Sequence, residues 1–396
     1  MLLRRLRPEV WIISGEERNS HLPLSICYYS VTNEQRFHLQ GRIFGESFQA
    51  GFVGHAWLWN AFTRPPEAAR DCSIIVAEVH EKHLKRMGPK GGLVIPTWIR
   101  GYAQLPRGPE VMKHRSIKKV LRKIRQQNLE YEATRDPKAF EFFYERMYLP
   151  YARNRYGEGA FIGSREELKG SFDNGELILV KKQNEYIAGQ IVVYQGDEAT
   201  MPTLGVLDGR WEFVAEGALA ASYEFTLMHL EKKGCRRVSF CQSRSFLNDG
   251  VLLSKKKYQT ISGSSSYKYV TRVMADTSAT RAFLQNNPFI FQHAGELRGA
   301  VFVGTEPQPP LDEIHKQHSY AGLKETIAFF FSPPETAGPD QGPLEQLSNL
   351  APDESMPAQK RPQYRPLTKA EYTPLISSLG PIGIATAIAI HSPQED

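Results

Sequence analysis

Residues 217–258 read GALAASYEFTLMHLEKKGCRRVSFCQSRSFLNDGVLLSKKKY. From Ala215 to Gly234 the chain is rich in good helix formers, turns basic in its last turn and closes on a glycine, which predicts one long helix. RRVSFC (Arg236 to Cys241) follows as a buried strand. A turn of Asn248, Asp249 and Gly250, an apolar triplet and three lysines come next. A carboxylate, a flexible glycine and a basic cluster thus stand close together just past a buried strand. Asn, Asp and Gly are equally the residues of an ordinary turn, and lysines of a solvated face.

Upstream, RSIKKVLRKIR (Arg115 to Arg125) spaces Ile117, Val120, Leu121 and Ile124 as one helix face. Seven Lys or Arg residues between Lys113 and Arg125, without an acid, occupy the rest. LEYEAT (Leu129 to Thr134) alternates as a strand. Asp136-Pro137 opens a helix through Phe140, Phe143, Tyr144 and Met147, and Ser164 with Glu167 forms a capping box. ELILVKK, YIAGQIVVY and ATMPTLGVL (Glu176 to Leu207) then read as an antiparallel meander, and SSYKYVTRVM (Ser265 to Met274) as a further strand.

The chain has 396 residues, 41% of them hydrophobic, and a formal net charge of +6, which fits a globular protein with an anionic partner. Cys27, Cys72, Cys235 and Cys241 lack zinc spacing and are too sparse for a disulfide framework, so reduced thiols in a cytoplasm and no metal are expected. The N-terminus has basic residues but no apolar run of the kind that directs export. LISSLGPIGIATAIAI (Leu375 to Ile390) is too short to span a membrane and reads as a strand or docking segment. Three regions separate by composition: a smaller strand-containing N-terminal domain at 1–108, a regular domain at 109–304, and a Pro-rich, largely disordered tail at 305–396.

The element order and three local segments carry a family resemblance. LRKIRQQNLEYEATRDPKAFEFFYERMYLPYARNRYG, YIAGQIVVY and the stretch quoted first resemble the acyltransferase domain of the GNAT fold in its Fem-type and CelD-like (BioF-type acetyltransferase-domain) group, over roughly Ile117 to Met274. The resemblance implies an α/β (α+β mixed) fold, with a central mixed, largely antiparallel sheet flanked by helices. In the two-domain Fem architecture, residues 1–108 would be a degenerate GNAT half.

The resemblance also implies a site. GNAT proteins seat the cofactor pyrophosphate on backbone N–H groups ahead of the long helix, which here means Glu216, Gly217 and Ala218. Glu216 adds a negative charge at that place, and Gly217 can equally be a packing residue. The strands before and after the long helix splay apart in this fold, which puts Gln242, Ser243 and Arg244 at the cleft mouth with Asn248, Asp249 and Lys255, Lys256 and Lys257 beside it. Asp249 would orient or deprotonate the acceptor amine, Asn248 and Gln242 would supply amide hydrogen bonds, and Arg244 and the lysines would neutralise phosphate. Tyr148, Tyr151 and Arg155 would contact the acceptor, with ring packing as the simpler role of the tyrosines. His229, near the end of the long helix, is expected in a helix-dipole or surface role.

The expected function is N-acyl transfer, with acetyl, longer acyl or aminoacyl groups passing to an amine by direct attack. Acyl-coenzyme A, acyl-carrier protein and aminoacyl-transfer RNA are the donors that fit. A small molecule, a cell-wall or polysaccharide precursor and a peptide are the acceptors the resemblance suggests. The alternative is a non-catalytic module of the same fold, binding nucleic acid or an anionic membrane surface through the 113–125 helix.

Overall fold

A computed structural model describes residues 5–87, 92–156, 162–263, 265–304, 308–332 and 362–392. The chain forms two compact units, one of residues 1–99, 244–253 and 262–396, the other of residues 100–243 and 254–261. Strands are numbered in chain order.

The second unit contains the segments that carry the resemblance. Its sheet runs β12 (Thr260–Gly263), β6 (Ile99–Gln104), β11 (Arg237–Ser243), β10 (Glu198–Val206), β9 (Glu185–Gln195), β8 (Gly175–Lys182), β7 (Leu129–Thr134). β8 to β10 form the antiparallel meander read from the sequence, with Gly175 opposite Val193, and β7 extends it, with Leu129 opposite Lys182. Leu177, Leu179, Ile187 and Ile191 are buried in one of its cores, with Phe140, Phe143 and Phe172 of the flanking helices. Ser164 and Glu167 form the expected capping box, and the Asp136 carboxylate caps its helix at Lys138 N, 2.9 Å away.

The long helix is Ala218–Lys232. A separate short helix, Trp211–Glu216, precedes it, because Gly217 adopts φ +101 and breaks the run that the sequence reading joined from Ala215. At the other end Gly234 takes φ +79, and the N–H groups of Gly234 and Cys235 bond Glu231 O and Leu230 O at 3.1 Å, closing the last turn. β11 then starts at Arg237 and lies parallel to β10.

In the first unit, among the described residues, eleven strands form one sheet. β1 (Glu9–Glu16), β2 (Pro23–Ser30), β3 (Phe48–His55), β4 (Ile74–His80) and β5 (Leu93–Pro96) come from the N-terminal region. β13 (Tyr267–Val273), β14 (Phe289–His293), β15 (Glu296–Val303), β16 (Thr326–Phe331), β17 (Gln363–Pro366) and β18 (Ile384–His391) come from the C-terminal half. The helices Asn33–Phe44, Ser278–Asn286 and Lys369–Leu379 bury Leu39, Ile43, Phe283, Leu284, Leu375 and Leu379 in the same core as Ile26, Val76 and Phe329 of the strands.

This arrangement differs from the expected boundaries at three places. The strand 267–273 is not the last strand of the second unit's sheet; it sits between β4 and β5, with Tyr267 opposite His80. Residues 1–99 are not a separate smaller domain, since the strands of the C-terminal half complete their sheet. The region 305–396 is not uniformly unstructured: TIAFFF (326–331) is buried throughout and β18 pairs along its length. An all-apolar run is the signal of a fully buried strand, and proline-rich surroundings hid it. The Pro-rich stretch from 333 onward lies outside the described residues. Among those described, no helix is long and apolar enough to cross a membrane.

Candidate active site

In the second unit β10 and β11 part, at the place where the sequence reading expects a cleft. The two strands pair only where Glu198, Ala199 and Thr200 face Arg237, Val238 and Ser239. Beyond that, β10 continues against β9 alone, after a register shift between Thr200 and Thr203. The edge of β10 from Met201 to Val206 is therefore turned away from β11's ladder, and an irregularity of this kind re-aims the backbone groups next to it. β11 bends too: Cys241 adopts φ +57, with its N–H on Ser239 Oγ at 3.2 Å.

Lys255 holds the end of that strand. Its side chain is buried, and its Nζ donates to Phe240 O at 2.7 Å, Gln242 O at 3.2 Å and Ser243 Oγ at 3.4 Å. Two of these acceptors are carbonyls of the strand itself. Lys256 and Lys257 are half-buried. Burial pushes the Lys256 ammonium down to about 8 and also lowers that of Lys257, against the pull of the Glu224 carboxylate. Gln242 exposes its side chain, and Ser243 is buried.

Beneath this end of β11 lie Tyr223, Phe240 and Tyr258, with ring centroids 5.7 to 6.1 Å apart. Burial, then the Glu224 carboxylate and Tyr223, keeps the Tyr258 hydroxyl protonated far above its ordinary range. Glu224 is fully buried. Its Oε1 accepts from Arg107 Nη1 at 2.7 Å, while its Oε2 has no hydrogen-bond partner among the described residues. Arg107 also binds Glu231 through Nε at 2.8 Å and Nη2 at 3.2 Å. These residues were missed from the sequence. The available signal was two acids seven positions apart, on one face of an otherwise apolar helix.

The loop ahead of the long helix carries Glu216, Gly217 and Ala218. Glu216 is paired with Lys182 at 2.8 Å, so its charge is compensated locally. Gly217 lies against the Lys123 side chain, whose Nζ donates to Ala215 O. Ala218 is fully buried. The tyrosines pack: the Tyr148 hydroxyl accepts from Gly163 N at 2.8 Å, and the Tyr151 hydroxyl accepts from Arg155. His229 is not on the surface; its Nε2 is 2.7 Å from Glu176 Oε1, and the Tyr194 hydroxyl binds the same carboxylate oxygen. Burial raises Glu176, but the bonds from Tyr194 and His229 and the charge of Lys233 outweigh it and hold the carboxyl below its usual range.

The remaining expected site residues belong to the first unit. Asp249 Oδ1 accepts from Val251 N at 3.0 Å and Leu252 N at 2.9 Å, which makes it the cap of the helix Gly250–Lys255. Asn248 donates to Asn286 O at 2.9 Å and accepts from Arg42. Arg244 stacks its guanidinium 3.5 Å over the Trp98 ring centroid and donates to Gln35. The sequence grouped these three with Gln242 and the lysines; the structure assigns Gln242, Lys255, Lys256 and Lys257 to the second unit. Among the described residues, no three His, Cys, Asp or Glu side chains are grouped to share a metal ion.

No family model and no curated protein matches the chain. Solved structures do resemble it. FemX is 12% identical over 65% of this chain and 83% of its own, with a TM-score of 0.34. The C-terminal domain (DUF2156) of a putative lysylphosphatidylglycerol synthetase from Agrobacterium fabrum is 11% identical over 69% and 83%, with a TM-score of 0.33. A GCN5-related N-acetyltransferase from Sphaerobacter thermophilus is 12% identical over 50% and 58%, with a TM-score of 0.32. Likenesses this distant carry no statement about activity. On its own strand order the second unit is a mixed α/β fold, an antiparallel meander joined by the long helix to a strand that pairs in parallel with it over three residues and then parts from it.

Proposed function

We propose that the second unit transfers an activated acyl group to an amine, in the cleft where β10 and β11 part. The observation that carries this reading is the loss of pairing after Thr200 and Ser239. Strand backbone with free N–H and C=O groups can take an extended amide-bearing donor arm as an added strand. An N–H on that edge would then polarise the acyl carbonyl, and the acceptor amine would attack it directly.

In this reading Gln242, exposed at the end of β11, offers its amide to the acceptor. Lys255 fixes the strand that carries it, and Lys257 faces the phosphate of the donor. Lys256, whose pKa of about 8 leaves a fraction of it as the neutral amine near neutral pH, can in that form take the proton that the attacking amine gives up. Coenzyme A thioesters, acyl-carrier protein and aminoacyl-transfer RNA are the donor classes, and the acceptor carries a primary amine.

The test is a thermal-shift screen of the full chain against coenzyme A, short- and long-chain acyl-coenzyme A and bulk transfer RNA, followed by turnover with a panel of amines. A donor that binds the folded state raises the melting temperature by mass action. Stabilisation followed by release of free thiol or free transfer RNA in the presence of amine supports the reading. Silence from every donor overturns it.

One observation favours a second reading. Lys113, Arg115, Lys118, Lys119, Arg122 and Arg125 are exposed on and next to the helix Arg115–Gln126, which contains no acid. Such a face binds a polyanion whether or not the cleft is catalytic.

A further inference from the structure

β3 is one border of the first unit's sheet, and among the described residues β1 is the strand hydrogen-bonded to it. Its outer side therefore carries a row of backbone N–H and C=O groups with no strand beside them, which is a template for another extended chain. The opposite border shows how a sheet refuses such a chain: β17 is four residues long, carries Arg365 and ends on Pro366. β3 has eight residues, FQAGFVGH, without a Lys, Arg, Asp, Glu or Pro, and residues 49–53 are all exposed.

The regular part of β3 is nearly symmetrical in sequence. Trp11 faces Phe52 and Val10 faces Gly54, so Val53 is bulged from the ladder and the pairing is regular over residues 48–52. That run reads FQAGF, with a phenylalanine at each end and Ala50 at its centre. An antiparallel strand of the same sequence, centred on Ala50, sets each Phe48 opposite the partner's Phe52 on one face and each Gln49 opposite the partner's Gly51 on the other. No like charges meet in that register, and aromatic pairs directly opposite each other stabilise it.

The face with the two phenylalanines continues into an exposed apolar row. The Phe52 ring lies 5.4 Å from that of Trp11, and the Arg36 guanidinium carbon is 3.9 Å above the Trp11 ring and 4.6 Å above that of Phe37. Phe52 and Phe37 are 52% and 51% exposed, whereas Arg36 is buried. The row thus offers rings rather than charge to its surroundings, and exposed rings beside an unpaired strand mark a protein contact.

We propose that two copies of this chain associate by pairing β3 with β3, antiparallel about a two-fold axis at Ala50. A second copy is favoured over an unrelated strand because the run is complementary to itself and neutral, which is what an isologous contact requires. The contact belongs to the first unit alone and does not rest on acyl transfer. Five paired residues a side with their flanking rings form a small interface, below about 1,200 Å², so the dimer is weak and dissociates on dilution.

The test is sedimentation velocity of the full chain from about 1 μM to about 1 mM, the span of weak affinities. A reversible monomer–dimer equilibrium is expected. Ala50→Lys, which sets two ammonium groups on the axis, should weaken it by about tenfold or more. Trp211→Lys, which removes a 67% exposed ring from the second unit, should leave it unchanged. Hydrogen exchange at the two ends of the concentration range needs no variant and decides should Ala50→Lys fail to fold: amides within residues 48–52 should slow on association, and those of β17 should not. A chain that stays monomeric throughout, leaving the edge to a strand of another protein, overturns the contact. So does a dimer that Ala50→Lys forms as tightly as wild type, or one whose residues 48–52 exchange as fast as the monomer's. Equal weakening by Trp211→Lys would trace association to exposed rings in general and overturns it as well.

Discussion

Arg107 Nη1 lies 2.7 Å from Glu224 Oε1, with side-chain exposures of 3% and 0%. Glu231, two turns further along the same helix, takes the other edge of the guanidinium. Burial alone would favour neutral Arg107, but the bonds from Glu231 and Glu224 outweigh it and hold the charge more firmly than usual. Taking one partner from a buried pair strands the other charge, at about 3–5 kcal/mol, while replacing both with apolar residues of similar volume is nearly neutral. Arg107→Met should therefore destabilise the protein by that amount in urea unfolding. The double variant Arg107→Met with Glu224→Met should recover most of the loss; additive losses would show that the pair is not coupled.

Lys255→Met should loosen the end of β11. It removes a charged donor from two carbonyls and a hydroxyl, and each buried acceptor left without a partner costs about 1–3 kcal/mol. If β11 positions the acceptor, kcat should fall by more than tenfold in a variant that remains folded at the assay temperature. Lys255→Arg should not restore it, because a planar fork cannot converge on three acceptors as an ammonium does. Full activity in a folded Lys255→Met would separate β11's anchoring from catalysis.

The second unit was legible because its signals are local. The Ser164 and Glu167 capping box, the alternation of Leu129 to Thr134 and the meander turns each depend on neighbours in sequence. The assignment of β13 was not legible, since its partners Ile74–His80 and Leu93–Pro96 precede it by more than 170 residues and periodicity identifies a strand without naming its sheet. The site divided in the same way. Lys255 to Lys257 stood out as a cluster, but only the bend at Cys241 decides which of them turns inward. The contact of Arg244 with Gln35 was invisible, because no pattern in NEQRFHLQGRIF or SRSFLNDG points to a partner two hundred residues away.

Lys256 makes stability depend on pH in the alkaline range. Its folded pKa, about 8, lies below the ordinary 10.5, so between those values the unfolded chain binds more protons and stability rises with pH. Below pH 8 both states are protonated and the full cost of burying the ammonium is present. Partial exposure of the side chain reduces that cost to about 1–3 kcal/mol. Lys256→Met should thus be more stable than wild type at pH 7, and the difference should shrink toward pH 10.5. A difference that is constant across this range would show that Lys256 is not desolvated.

The basic helix makes a separate prediction about polyanions. Lys118, Lys119 and Arg122 are exposed, while Lys123 is held on Ala215 O and cannot contribute without breaking that bond. Each phosphate neutralised on duplex nucleic acid adds about 0.9 to the slope of log affinity against log salt. Replacing Lys118, Lys119 and Arg122 with glutamine should lower that slope by about 2–3 and weaken binding to a generic RNA or DNA duplex at low salt. Lys123→Gln should change the slope by less than about 0.5, although it loses the same formal charge. Fluorescence anisotropy across a salt series reads both. Equal effects of Lys123→Gln and each single exposed-site variant would mean that net charge, rather than this face, attracts the polyanion.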